Sequence, residues 1–384
     1  MEKSSNPVVF LALMLLTICV SAQFQIGTRD VTLYDASRTR DIVCTFHYPA
    51  TTSGNNAPVA AGTFPLIVFG HGFSMGVDAY VNFADELVPL GYVLCLPKTE
   101  TGLSPNHETF GLDLRFVNSN VKSRAASDAT FFLYQKLTSR TAIMGHSMGG
   151  GAAFLAAANN TDLYTLVTFA AAETSVSAIA AAANVSVPSI VFIGDKDGVT
   201  PPVDHQIPMY NNLPVGCKGS LTIKGGGHCY FANYNLACST GELFTSPQPT
   251  ITRAEQHTAM FNALKPYLNW MLKEQSAQRA VFEGVIAQTA TYTSIFNCSM
   301  ASVEEVEAQL AVFPNPVENV LHVSFNGNVK TFKLISIDGK VIENLEFATE
   351  NQSLNIDMSN VPSGMYILNV NTDNSSHNIK VMKR

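Results

Sequence analysis

The chain has 384 residues, a formal net charge of -7, and 46% hydrophobic against 14% charged residues. This is the composition of a folded, low-charge protein, which excludes a disordered chain, and the length suits a core of roughly 250 residues with a smaller module attached. With no basic stripe there is no electrostatic footprint for nucleic acid, and that class of partner is set aside.

Residues 1–22 combine Lys3, an apolar run from Val8 to Val20, and the small residues Ser21 and Ala22 before Gln23. They read as a secretory signal peptide removed after Ala22. No later run reaches eighteen uninterrupted apolar residues, so the expectation is a soluble, secreted or cell-surface monomer. Export to an oxidising compartment leaves six cysteines, Cys44, Cys95, Cys217, Cys229, Cys238 and Cys298, with 15 possible pairings. Cys229 and Cys238 bracket a short loop and form one candidate bridge. Cys44 and Cys95 lie in strand-like runs and read equally as buried thiols. Without a CxxC or repeating spacing, no metal site is expected.

Along the chain, Val31–Tyr34 and Ile42–Tyr48 read as two strands around the polar turn 35–40. Pro65–Phe69 reads as a buried strand running into the glycine-rich turn Gly70-His71-Gly72-Phe73-Ser74-Met75-Gly76. A helix with apolar positions at Val77, Tyr80, Val81, Ala84, Leu87 and Val88 follows, then the strand Tyr92–Leu96. This is the pattern of a β-α-β crossover and a parallel sheet. A helical region is expected from about Asp113 to Leu137, leading into the strand that ends at Ala142-Ile143-Met144. Leu163–Phe169, Ser189–Ile193 and Ser220–Ile223 are further buried strands, and Arg253 to about Lys273 is a long amphipathic helix. Beyond Cys298 the texture changes to a charged linker, 301–311, and then short alternating strands with turns at Asp338-Gly339 and Pro362-Ser363-Gly364. Residues 312–384 therefore read as a small all-β sandwich.

Gly145-His146-Ser147-Met148-Gly149 sits between an apolar run and a run of small residues. Strand, sharp turn and helix with serine at the apex is the arrangement of a nucleophile elbow, where the flanking positions must be nearly free of side chain. The later buried strands Ser189–Ile193 and Ser220–Ile223 end in Gly194-Asp195-Lys196-Asp197-Gly198 and in Gly225-Gly226-Gly227-His228. Serine, acid and histidine thus follow in the chain order of α/β-hydrolases, a mostly parallel twisted sheet flanked by helices, over residues 23–300. A serine hydroxyl needs a histidine to take its proton and a carboxylate to orient that histidine. The candidates are Ser147 as nucleophile, His228 as base and Asp197, further out on its loop than Asp195, as the orienting acid. The backbone amides of Phe73 and Met148 are candidates for an oxyanion hole, and Phe73, Met75 and Met148 for apolar substrate contacts. Among the other histidines, His71 is expected to brace its turn, His146 to be pinned in the elbow, and His47, His205 and His257 to be surface or packing residues. This chemistry requires no cofactor.

The span Gln23–Cys298 resembles the secreted polyester hydrolases and cutinase-like carboxylesterases of bacteria. The matching residues are the run Gly145–Gly151, the loop with Phe73, Asp197-Gly198-Val199-Thr200-Pro201, Gly226-Gly227-His228-Cys229, and Trp270-Met271. The resemblance implies hydrolysis of hydrophobic esters, polyesters included. Two departures stand out: Phe73 where the family often has tyrosine, and no counterpart of the cleft tryptophan, since the only tryptophan is Trp270 and the corresponding region is 170–177. The alternatives are a lipase, an acetyl or feruloyl esterase, or a non-catalytic surface adhesin keeping the fold. The tail resembles type IX secretion sorting domains through Val312-Phe313-Pro314-Asn315-Pro316-Val317, Asp338-Gly339-Lys340 and Pro362-Ser363-Gly364-Met365-Tyr366. That resemblance implies the type IX machinery as an export partner.

Overall fold

The computed structural model describes residues 23–298, 311–324, 329–346, 353–372 and 376–384. The expected leader, 1–22, and all but the last residue of the expected linker lie outside them. Contacts divide the chain into two units, one ending at Cys298 and one made of the residues after it.

The first unit is built in chain order from strands β1 (Gln25–Asp35), β2 (Arg40–Ala50), β3 (Gly54–Asn55) and β4 (Phe64–Gly70), helix α1 (Val81–Leu87), β5 (Val93–Pro97), α2 (His107–Ser127), β6 (Leu137–His146), α3 (Met148–Ala157), β7 (Thr165–Phe169), α4 (Ala178–Ala182), β8 (Ser189–Gly194), α5 (Gln206–Asn212), β9 (Cys217–Ile223), α6 (Leu236–Leu243), α7 (Arg253–Lys273), α8 (Ala277–Ile286) and β10 (Tyr292–Cys298). All ten strands form one sheet in the order β10-β9-β8-β7-β6-β4-β5-β2-β1-β3. The central strands from β5 to β9 run parallel, and β10 and the β1–β2 hairpin join antiparallel at the two sides. Strands β4, β5, β7 and β8 are buried at every position, because helices cover both faces of a parallel sheet and leave no alternation to read.

Helix α2 departs from the expected span. It starts six residues earlier, where the Asn106 side chain accepts the Thr109 amide, and ends at Ser127. The Asp128 carboxylate then accepts both the amide and the hydroxyl of Thr130. That local turn draws the chain out of the helix although Phe131 and Leu133 continue the apolar run into the core. The helix expected after the glycine-rich turn is also broken, into a 3₁₀ turn at Val77–Tyr80, α1, and a second 3₁₀ turn at Val88–Leu90.

Helix α7 follows its expected bounds. Thr252 and Glu255 form a reciprocal capping box at its start, and Phe261, Leu264, Tyr267, Leu268 and Met271 are buried. Tyr267 reaches Thr165 of β7 at 2.8 Å and Tyr92 reaches Asn269 at 2.8 Å, so the buried hydroxyls are paired. Trp270 packs against Tyr267 and Phe296.

Two disulfides close the unit, Cys229–Cys238 and Cys217–Cys298. The second joins residues that face each other across β9 and β10. Cys44 and Cys95 are free buried thiols; burial and the neighbouring Cys44 sulfur push the Cys95 thiol well above its ordinary range.

In the second unit, β11 (Ala311–Phe313), β12 (Val320–Ser324) and β15 (Ser353–Asp357) form one antiparallel sheet. Strands β13 (Val329–Ser336), β14 (Val341–Glu346), β16 (Gly364–Thr372) and β17 (Ser376–Lys383) form another, in the order β14-β13-β16-β17. Leu321, Val323 and Ile356 from the first sheet share a core with Phe332, Leu334, Leu368 and Val381 from the second. Two sheets closing on one core is the sandwich arrangement.

Candidate active site

The site is assembled where the parallel strands end, which is where open α/β sheets present loops to ligands. Strand β4 delivers the glycine-rich turn, β6 delivers Ser147, β8 delivers Asp197 and β9 delivers His228.

Ser147 has φ 57° and ψ -123°, outside the regions a serine ordinarily adopts. The strain is held by backbone bonds on both sides: the Ser147 amide donates to Phe169 at 3.0 Å and its carbonyl accepts from Ala172 at 2.9 Å. Closing the turn also requires contact that a side chain would block. A Cβ on Gly149 would lie 2.2 Å from the Gly70 carbonyl, and one on Gly145 2.2 Å from the Gly149 carbonyl oxygen. Helix α3 can therefore lie directly on the ends of β4 and β6, with its first amides beside the serine.

Ser147 Oγ stands 2.9 Å from His228 Nε2, and His228 Nδ1 stands 2.8 Å from Asp197 Oδ2. Asp197 and His228 are each 1% exposed and Ser147 is 8% exposed, so all three are buried and the serine is the member nearest to solvent. Asp197 Oδ1 accepts the amides of Val199 and Thr200, which fixes the carboxylate plane from its own loop. Asp195 points elsewhere: its Oδ1 accepts the Gly225 amide at 2.6 Å and ties the acid loop to the histidine loop.

His228 is braced from three sides. Gln256 of α7 exchanges both hydrogen bonds with the backbone of Gly227. The buried carboxylate of Glu242, on α6, accepts the amides of His228 at 2.5 Å and Cys229 at 3.1 Å. Arg253 donates to the carbonyls of Cys229 and Ala232, and the Cys229–Cys238 disulfide ties the same turn to α6. A backbone with few conformations left holds the imidazole at fixed distance from both partners.

His146 links this histidine loop to the glycine-rich turn. Gly72 N–H donates to the Tyr80 hydroxyl at 2.7 Å, the hydroxyl donates to His146 Nδ1 at 2.9 Å, and His146 Nε2–H donates to the His228 carbonyl at 3.0 Å. The tautomer is assigned from these partners. Burial, and then the His228 ring nearby, push the His146 imidazole well below the ordinary histidine range, so the ring stays neutral. Phe69, Phe83, Phe169, Phe192 and Phe231 lie beneath as a buried aromatic layer, with neighbouring ring centroids 4.6 to 6.1 Å apart.

The structure brings Ser147, Asp197 and His228 into one hydrogen-bonded chain and sets the turn with Phe73 beside it, since a Cβ on Gly149 would also lie 2.6 Å from the His71 carbonyl oxygen. Met148 is the first residue of α3, so its N–H has no carbonyl a turn earlier to bond. Of the apolar residues expected at the cleft, Phe73 is 48% exposed, whereas Met148 is buried and Met75 lies under the turn with its sulfur 3.2 Å from the Tyr80 hydroxyl. His71 is buried, with ring nitrogens near the Gly72 and Thr99 carbonyls. Sequence reasoning missed Tyr80, Thr200, Gln206, Glu242 and Gln256. Thr200 lies in the acid-loop motif without a role assigned to it, Tyr80 and Gln256 read only as helix positions, and Gln206 and Glu242 carry no motif.

Fold and strand-end geometry define an α/β-hydrolase. The chain belongs to the PET hydrolase-like family, whose model matches residues 37–243, more than half of the chain. Residues 311–384 match the secretion system C-terminal sorting domain, which marks the chain as secreted or cell-surface. Cutinase 2 of Thermobifida cellulosilytica is 33% identical over 180 residues, 44% of this chain and 63% of that protein. Cutinase cut1 of Thermobifida fusca is 33% identical over 180 residues, covering 44% and 51%. Bis(hydroxyethyl) terephthalate hydrolase of Streptomyces coelicolor is 27% identical over 175 residues, covering 44% and 49%. The chain thus spans from about half to just under two thirds of the length of these relatives.

Proposed function

We propose that the protein is an exported serine hydrolase that cleaves carboxylic esters of hydrophobic substrates, polyesters among them, through Ser147, His228 and Asp197. The observation that carries this reading is the unbroken chain from Ser147 Oγ through both ring nitrogens of His228 to Asp197 Oδ2, at 2.9 and 2.8 Å.

In this mechanism His228 Nε2 takes the hydroxyl proton as Ser147 Oγ attacks the ester carbonyl. The negative charge moves to the carbonyl oxygen, which receives the amides of Phe73 and Met148, each such donor being worth about 2.7–4 kcal/mol in the transition state. His228 then gives its proton to the departing alcohol, and the acyl group stays on Ser147. A water, deprotonated by His228 Nε2, attacks the acyl-enzyme carbonyl; the acyl–Oγ bond breaks, His228 returns that proton to Ser147 Oγ, and the acid leaves. Asp197 stabilises the imidazolium in both halves and stays ionised. The half-exposed Phe73 ring and the Val199 side chain, 37% exposed on the acid loop, favour apolar acyl or alcohol groups over charged ones.

The test is product analysis after incubation with short and long p-nitrophenyl esters, a poly(ethylene terephthalate) film and acetylated xylan. The expected result is hydrolysis of the p-nitrophenyl esters and release of soluble terephthalate esters from the film. Activity confined to acetylated xylan would replace this reading with a polysaccharide esterase, and inertness toward every ester would leave the adhesin.

A further inference from the structure

A fourth side chain enters the hydrogen-bonded chain. Thr200 Oγ1 lies 2.8 Å from Asp197 Oδ2 and 3.0 Å from His228 Nδ1. It is buried, and buried Gln206 of α5 stands behind it with Nε2 3.0 Å from the same oxygen.

The proton assignment follows from the partners. Gln206 Nε2 also lies 2.7 Å from the Ala171 carbonyl and 3.2 Å from the Thr200 carbonyl. These carbonyls require the amide nitrogen on this side, and its two N–H groups serve the two nearest acceptors, the Ala171 carbonyl and Thr200 Oγ1, with the Thr200 carbonyl the most distant of the three. Thr200 Oγ1 therefore accepts from Gln206, and its own proton points to Asp197 Oδ2, the closer of its two acceptors, the other being the Ala170 carbonyl at 3.3 Å. The remaining lone pair faces His228 Nδ1–H. Asp197 then meets four donors: the Val199 and Thr200 amides on Oδ1, and the Thr200 hydroxyl and His228 Nδ1 on Oδ2. A carboxylate so surrounded has one orientation, and in that orientation Oδ2 faces the ring.

We infer that Thr200, oriented by Gln206, is a positioning residue that fixes Asp197 Oδ2 on His228 Nδ1 and offers that N–H a second acceptor while the ring carries a proton. The inference rests on the triad reading above. The hydroxyl never touches substrate, so its effect falls on the proton-transfer steps and is relayed by Asp197.

The experiment compares Thr200→Val, which keeps the shape and removes the hydroxyl, with Thr200→Ser, which keeps the hydroxyl, each alone and combined with Asp197→Asn. Readouts are kcat and KM on a fluorogenic butyrate ester, with melting temperature as the control for folding. Loss of one hydrogen bond to a charged partner corresponds to a kcat about ten-fold lower in Thr200→Val, with KM within about two-fold. Thr200→Ser should recover most of that loss, and Thr200→Val should cost less than about two-fold once Asp197 is already asparagine. The inference is overturned by unchanged kcat in Thr200→Val, by a loss that falls on KM, or by an equal loss in the Asp197→Asn background. Should Thr200→Val not fold, Gln206→Met removes the donor behind the hydroxyl and must show the same coupling to Asp197. Full activity in Asp197→Asn alone would remove the triad reading itself; low activity there beside an unaffected Thr200→Val removes only the present inference.

Discussion

Replacing Ser147 by alanine is expected to lower kcat on p-nitrophenyl butyrate by about ten-thousand-fold or more while the fold survives. The substitution deletes one oxygen whose bond is to His228 Nε2. Alanine keeps the same Cβ, so the strained turn at φ 57° meets no new atom. His228, Asp197 and the amides of Phe73 and Met148 stay in place, and the remaining catalysis should be what binding and the oxyanion site supply without a nucleophile. Circular dichroism and melting temperature check the fold; kcat within about ten-fold of the parent enzyme would contradict the assignment of Ser147.

The largest effect on stability is expected at Gly149. Its Cβ would stand 2.2 Å from both the carbonyl carbon and oxygen of Gly70 and 2.6 Å from the His71 oxygen. Those atoms are backbone at the end of a fully buried strand, and no rotamer change relieves the overlap. Either α3 or β4 must shift inside a close-packed interior. Overpacking usually costs about 1–3 kcal/mol, and a clash with fixed backbone belongs at the top of that range or above it. Gly149→Ala should therefore lower the melting temperature by about 6–12 °C, at about 2–4 °C per kcal/mol, and reduce activity as the Met148 amide moves with α3. Gly241→Ala is the matched control, because nothing lies within 4 Å of its added Cβ on α6. There alanine should be neutral or slightly stabilising. Equal melting temperatures for the two variants would show that the close approach of α3 to β4 does not govern stability.

The buried strands were legible because a parallel sheet covered on both faces writes itself as continuous apolar runs, as in Pro65–Phe69 and Ser189–Ile193. The elbow was legible because its glycines answer to contacts with backbone. What stayed hidden depends on partners distant in sequence. Strand β10 returns to pair with β9 only after three helices, so the Cys217–Cys298 bridge could not be chosen among the pairings. Helix α2 was misplaced because the Asp128 turn outweighs an apolar run that continues past it. Glu242 is one acidic residue among many until α6 folds against the histidine loop and buries it beneath two amides. Thr200 lies within the acid-loop motif, which assigns it no role, since a hydroxyl between a carboxylate and an imidazole is visible only in three dimensions. The missing cleft tryptophan is likewise a matter of place: Trp270 belongs to the packing of α7 against β10.

The central claim is that Ser147 is activated by His228 to attack an ester carbonyl. Incubation of the intact protein with a fluorophosphonate, followed by peptide mass spectrometry, tests it most directly. The result expected is one phosphonyl group per chain, carried on Ser147, with esterase activity lost in step and no labelling in Ser147→Ala or His228→Ala. An unlabelled protein, or a label carried by another residue while activity disappears, would contradict it.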